Sequence, residues 1–312
     1  MQRNVSIDLT VCFFLDRCSD DSRSIVAAAQ NEMPFSIRME EDRSEASASV
    51  GRARRRAMNL AVEAVAGHGA ATLLTTDADT VLAPDWIARN LAALRRADVV
   101  TGDIHQAEEG FSPHHHRVKR YFDRLHRLNT LLDPVPWQPS KGHHHTGGAS
   151  MAFSCDTYRA LNGFPELARG EDAALVASAR YIGLRVRHDA TVRVYTSTRR
   201  QGRVEAGFAA HLEHLDEAGT ADALEVVDPD VAAGQYRAHA FARHAFRNPS
   251  RTRLDKLRVQ TGTSVAHLSG LLTECATAEA FATRAVPSPA DAVPLPLAHA
   301  ERKLARAVRY RR

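Results

Sequence analysis

The chain has 312 residues, 44% of them apolar, 25% charged and 6% aromatic, with 17 Gly and 13 Pro. That profile excludes collagen, a disordered polymer and a disulfide-stapled miniprotein, and it leaves room for a large domain, with or without an extension, around a real core. The 41 basic and 37 acidic residues give a net charge of +4, interspersed apart from Arg52–Arg56 and Arg309–Arg312, so no nucleic-acid partner is expected.

Leu9–Leu15 is a continuous apolar run and predicts a buried strand, followed by the turn-rich Asp16–Ser22 and a helix to about Gln30. Val50, Ala53, Ala57, Leu60, Ala61 and Ala64 recur at helical spacing, which predicts an amphipathic helix over Ser49–Ala66. Ala71–Thr76 is the next strand, Pro84 opens a helix, and Asp98–Thr101 resumes the strand pattern. A longer helix is expected over His114–Leu132, then a proline-rich loop to Pro139. Ser150–Phe153 reads as a strand, Cys155–Leu161 as a short helix and Asn162–Gly163 as a turn. A helix from Glu171 to Ile182 stops at Gly183, and strands follow at Leu184–Arg187 and Thr191–Tyr195. Strands alternating with helices predict an α/β fold with a mostly parallel sheet flanked by helices.

Beyond about Gly202 the strand signal is lost. Residues 205–280 read as helices, and Pro287–Pro296 links them to a basic terminal helix. The predicted division is therefore a sheet domain over 1–204 and a C-terminal helical extension over 205–312. No apolar run approaches the roughly 20 residues of a membrane span, and Met1–Asp8 has no secretory h-region. A cytoplasmic location is the expectation. Cys12, Cys18, Cys155 and Cys275 form no CxxC pair and read as reduced, mostly buried thiols.

Three acidic segments carry the chemistry. In Leu73-Leu-Thr-Thr-Asp77-Ala-Asp79-Thr80 a buried strand ends in two carboxylates at i and i+2. On an extended strand both would leave one face, at the sheet edge where open α/β folds bind ligands, and could reach one hard cation. Solvated acids at a strand end are the plainer alternative. Glu171-Asp172 opens a helix, where acids serve as ordinary caps or, for one of the pair, as a general base. Asp16 follows the first strand in the same way as the Asp77/Asp79 pair. Asp20, Asp21 and Ser22 behind it read as caps of the next helix.

Taken in order, strand-LDRCSDDS, GRARRRAMNLA, strand-DADT, GGASMAF…YRALNGFPELARGEDAAL and VRVYTSTRRQGR resemble family-2 glycosyltransferases of the GT-A fold over about residues 9–204. The resemblance implies a GT-A-like fold, a nucleoside diphosphate sugar donor and a hydroxyl acceptor. It places Asp16 on the nucleoside base and Arg54 near the sugar donor. Asp77 and Asp79 match the DxD element for the donor and for a divalent cation, Mg²⁺ or Mn²⁺, with Asp79 the stronger metal candidate. Asp172 matches the catalytic base of inverting members, with Glu171 beside it on the acceptor or phosphate side. Arg199 and Arg203 match an S-x-R…R element facing phosphate or an anionic acceptor. The pattern departs from the family at its start: the family's first strand, with its Pro-x-x-Asn-Glu-like element, has no counterpart before Leu9.

The histidine tracts divide. His114–His116 opens an Arg-rich helix and reads as solvated surface, whereas His143–His145 precedes Thr146-Gly147-Gly148 on the acceptor side, where His145 could touch substrate. His188, after a strand, is by the same resemblance a candidate third metal ligand. For the extension three roles stand open: covering the acceptor side, forming a homo-oligomer, or peripheral membrane contact through Arg309–Arg312. Two other functions fit the same residues. One is a catalytically inactive glycosyltransferase-like binding module, and the other is a sugar-phosphate nucleotidyltransferase, whose Gly-rich basic N-terminal loop is absent here.

Overall fold

A computed structural model describes residues 7–43, 49–106, 113–198, 223–289 and 292–309. The first part of the chain runs β1 (Thr10–Asp16), α1 (Ser22–Glu32), β2 (Ser36–Asp42), α2 (Val50–Ala64), β3 (Thr72–Thr75), β4 (Thr80–Leu82), α3 (Trp86–Leu94) and β5 (Val99–Gln106). It continues through α4 (Pro113–Leu132), β6 (Met151–Ser154), α5 (Cys155–Ala160), α6 (Glu171–Tyr181) and β7 (Val186–Thr196). The α/β class and helical C-terminal part match the sequence expectation; the strand senses do not. A five-stranded sheet has the order β3-β6-β5-β7-β4, in which only β5–β7 is parallel. It is therefore mixed rather than mostly parallel, because β6 runs back between β3 and β5 and β4 returns along β7.

The sheet is also curled. Four residues, Thr76–Asp79, join β3 at one edge to β4 at the other. Such a link reaches roughly 17 Å, while four strand gaps in a flat sheet span roughly 19 Å. Curling brings both edges to Asp77 and Asp79. A bulge between Gly102 and Asp103 in the β5–β7 pairing accompanies the bend. The same irregularity explains why β7 looks like two strands in the sequence: at the break, Asp189 accepts from the Thr191 amide at 2.9 Å and hydroxyl at 2.7 Å.

Alternation along the central strands covers both faces. Val99, Met151 and Phe153 pack with Met58, Tyr158, Phe164 and Leu175 on the α2/α6 side. Val100 and Ala152 face Trp86, Ala93, Val192 and Val194 on the α3 side. β1 and β2 form a separate parallel pair. Contrary to the expected fully buried strand, Val11–Phe14 are half-buried and only Leu15 is buried. Among the described residues β1 pairs with β2 alone, and α2 packs against both β1 and β3. β2 has no counterpart in the sequence reading, since only Ile37 and Met39 alternate with its charges.

The C-terminal part comprises β8 (Glu225–Val226), α7 (Pro229–Arg247), α8 (Arg251–Thr261), α9 (Val265–Glu274), α10 (Ala278–Ala285), β9 (Leu295–Pro296) and α11 (Leu297–Arg309). Leu297, Ala300 and Leu304 of α11 are buried with Tyr121, Leu125 and Leu128 of α4. α10 packs on α6. The helical part is thus fastened to α4 and α6, and the terminal helix buries its apolar stripe inside the protein. No helix among the described residues is long and apolar enough to cross a membrane. The expected boundary at 204 and the basic terminus beyond Arg309, residues 310–312, lie outside the described residues.

One close approach fixes α2 against the loop before α6. The Gly51 amide donates to Leu167 O at 3.0 Å, and the Ser49 hydroxyl to the same oxygen at 2.9 Å. A Cβ on Gly51 would stand 2.2 Å from Pro165 O and 2.7 Å from Leu167 O, both backbone atoms. Gly51→Ala should therefore lower stability by about 1–3 kcal/mol, as overpacking does. A urea midpoint unchanged in this variant would refute the close packing.

Candidate functional site

Arg54, on the first turns of α2, joins three segments that are far apart in sequence. Its Nη2 donates to Asp77 Oδ1 at 2.8 Å, its Nε to Glu171 Oε1 at 3.0 Å and its Nη1 to Gly148 O at 2.8 Å. The side chain is only 12% exposed, while that of Asp77 is 39% exposed. Burial works against the guanidinium charge, but the two carboxylates outweigh it and raise the Arg54 pKa. Burial also raises the Glu171 carboxyl above its ordinary range, with Arg54 opposing and Asp172 adding to the shift.

Gly148 carries the network onward. Its carbonyl also accepts from the Thr75 hydroxyl at 2.6 Å, and its amide donates to Asp172 Oδ2 at 3.0 Å. Asp172 Oδ1 accepts from the Ala173 amide at 2.7 Å. Asp172 sits in the first turn of α6, whose dipole favours an anion there. Asp77 and Asp79 do not lie on one face of an extended strand as expected. β3 ends at Thr75, and a turn closed by the Thr80 amide on Asp77 O, at 3.1 Å, separates the two acids. Asp79 is exposed on that turn.

Asp16 belongs to a second cluster on the neighbouring sheet. In the parallel β1–β2 pair it stands opposite Asp42, and Arg52 bridges them, with Nη2 3.2 Å from Asp16 and Nη1 2.9 Å from Asp42. Arg17 Nε adds a bond to Asp16 at 3.1 Å. Asp42 and Arg52 are not among the site residues expected from sequence, Arg52 appearing there only as part of a basic cluster. With β2 assigned, the strand-end position used for Asp16 would have pointed to Asp42 as well.

The histidines form a third group behind the Gly147-Gly148 turn. His143 Nε2 donates to Thr101 O at 3.0 Å. His188 accepts from Arg180 on Nε2 at 3.0 Å, so its Nδ1 carries the proton and donates to His145 O at 3.0 Å. Both ring nitrogens are engaged, so His188 is a core anchor rather than the third metal ligand considered from sequence. The His145 ring is 3.8 Å from the Asp103 carboxylate. His115, in the tract expected to be solvated, is buried, whereas His116 is exposed. Asp103 and Asp123, which hold the neighbouring charges, have no counterpart in the sequence reading; burial works against their ionisation, but His105 and Lys119 beside Asp103, and His144 and Lys119 beside Asp123, depress both carboxyls. Arg199 and Arg203 lie outside the described residues.

The sequence matches no family model, and no curated protein matches it. Among solved structures it is similar to the mannosyltransferase PcManGT of Pyrobaculum calidifontis in complex with GDP-Man and Mn²⁺, at 16% identity over 95% of this chain and 71% of that one, with a TM-score of 0.42. It is also similar to residues 1–349 of S. aureus TarS, at 14% identity over 90% of this chain and 88% of that one, with a TM-score of 0.41. GalNAc-T7 with UDP, GalNAc and Mn²⁺ matches at 11% identity over 80% of this chain and 48% of that one, with a TM-score of 0.40.

Proposed function

We propose that this chain is a GT-A-like, family-2-like inverting glycosyltransferase that moves a sugar from a nucleoside diphosphate to a hydroxyl acceptor in a metal-dependent reaction. The observation that carries the reading is the Arg54 network. Asp77, Gly148 and Glu171, from three separate motifs in sequence, converge on one buried guanidinium, and the Gly148 amide in turn holds Asp172. The guanidinium thus ties a strand-end acid, a glycine turn and a helix-start acid together at one end of the sheet.

Each group takes the role that the family-2 resemblance implies. Asp16, at the C-terminal end of β1 with Arg52 and Asp42, addresses the nucleoside base. Asp77 and Asp79, on their turn, supply hard carboxylate oxygens on the diphosphate side. Among the described residues no group of three ligands is arranged to hold a metal ion. Two carboxylates fit Mg²⁺ or Mn²⁺ when phosphate and water supply the remaining ligands. Such an ion, when bound, would supply charge neutralisation for the leaving diphosphate. Asp172, held by the Gly148 amide, takes the proton from the acceptor hydroxyl as its oxygen attacks the sugar. Glu171 stays paired with Arg54. His145, Arg199 and Arg203 are assigned to the acceptor or phosphate side.

The metal assignment is tested by calorimetric titration of UDP and GDP in Mn²⁺ and in EDTA. The parent should bind one of the two nucleotides more tightly with Mn²⁺, and Asp79→Ala should lose that Mn²⁺ dependence. Mn²⁺-stimulated binding of equal strength in Asp79→Ala would remove Asp79 from the metal site.

A further inference from the structure

We infer that Arg54 is a positioning residue for Asp172, acting through Gly148, rather than a ligand of the donor phosphates. The inference rests on the reading of Asp172 as the base. Three donor atoms of the guanidinium, Nε, Nη1 and Nη2, are committed to protein acceptors in three directions. The fork geometry of Arg suits such a junction, whereas a lysine ammonium is a single point charge. The Phe164 ring, itself fully buried, lies 5.7 Å from Arg54 Cζ. On the Gly148 side contact is closer still: a Cβ there would stand 2.1 Å from Arg54 Cζ. A guanidinium enclosed in this way, bonded in three directions and only 12% exposed, offers little free surface to a phosphate.

What it does instead is fix Gly148. Arg54 and the Thr75 hydroxyl pin the Gly148 carbonyl, and the amide of the same residue then points at Asp172 Oδ2. Glu171, the neighbour of Asp172, is held by the same arginine. The carboxylate that must face the acceptor is thus located from two sides, by its own amide donor and by its helix-start neighbour. Only glycine at 148 lets the guanidinium approach closely enough. The sequence GGA thereby acquires a physical reason.

The test compares the parent with Arg54→Lys and Gly148→Ala. Three quantities are measured: affinity for UDP and GDP with Mn²⁺, turnover of bound donor, and amide hydrogen exchange of the peptide containing Gly147 and Gly148. Misplacing a reacting group by an ångström costs roughly 10²-fold in rate. Both variants should therefore lose about that much turnover, keep nucleotide affinity within about threefold, and exchange the Gly148 amide faster. A fall in nucleotide affinity of about tenfold or more, with turnover of bound donor unchanged, would make Arg54 a donor ligand and overturn the inference. Unchanged exchange and unchanged turnover would overturn it equally. Should the parent bind nucleotide and transfer nothing, the glycosyltransferase reading fails, while faster or unchanged exchange at Gly148 still decides whether Arg54 holds the turn. If Arg54→Lys does not fold, Gly148→Ala, which keeps the arginine but displaces its guanidinium from the Gly148 carbonyl, supplies a second comparison.

Discussion

Asp172→Asn should fold, bind nucleotide and metal as the parent does, and transfer sugar roughly 10²–10⁴-fold more slowly, the loss expected for removal of a general base. The side-chain size is kept, and the single Asn oxygen still accepts from the Gly148 amide that holds Oδ2 at 3.0 Å, although the bond from the Ala173 amide to the other oxygen is lost. What disappears is a group able to take the acceptor's proton. Single-turnover transfer beside nucleotide affinity separates the two roles. If affinity falls as far as rate, Asp172 is a helix cap or a donor ligand and the mechanism assigned to it is wrong.

Acidification should destabilise the protein between pH 6.5 and 4, before the surface carboxylates matter. His143 is almost completely buried; burial holds its pKa at about 4, with Asp103 opposing and His144 and Lys119 adding to the depression. His126 is held at about 4 mainly by burial, with His143 and His144 adding to it and Asp123 opposing. His188 lies well below the ordinary value, through burial and then through Arg180, His143 and His126. These imidazoles are neutral in the folded chain and take up protons near pH 6.5 when unfolded. The unfolded state therefore binds more protons within this window, and stability falls as pH drops from 6.5 toward 4. A single imidazole with the shift of His143 contributes on the order of 3 kcal/mol, and neighbours that repel one another add less than the sum. Asp103 and Asp123 have depressed values, so their loss comes at lower pH. Urea midpoints should fall steadily from pH 7 to 4.5, and His143→Asn should flatten that slope. A midpoint constant over the range would show that the cluster is not buried and neutral.

Where apolar periodicity was strong, the fold was legible. The helices α2, α4 and α6 and the strands β3 and β6 lie within a few residues of their expected spans. β2 was hidden because an edge strand with charges on one face has too few apolar positions to signal itself. The antiparallel senses of β6 and β4 come from long-range pairing, which local patterns do not encode. For the candidate site, the sequence supplied Asp77, Glu171, Asp172 and Arg54, but not that Arg54 would join them. That junction depends on two close approaches, Gly51 on Leu167 and Gly148 on Arg54, and both are tertiary facts. The same limit separated Asp16 from Asp42, which meet only when β1 and β2 pair.

The most direct test of the account is a transfer assay on the full chain with a panel of UDP- and GDP-sugars, hydroxyl acceptors and Mn²⁺. The released nucleoside diphosphate would be followed by phosphorus NMR in the parent and in Asp172→Asn. The account predicts release from at least one donor in the parent, suppressed by EDTA and by Asp172→Asn. Nucleotide binding by the parent with no release from any donor would contradict it and leave a binding module on the same sheet.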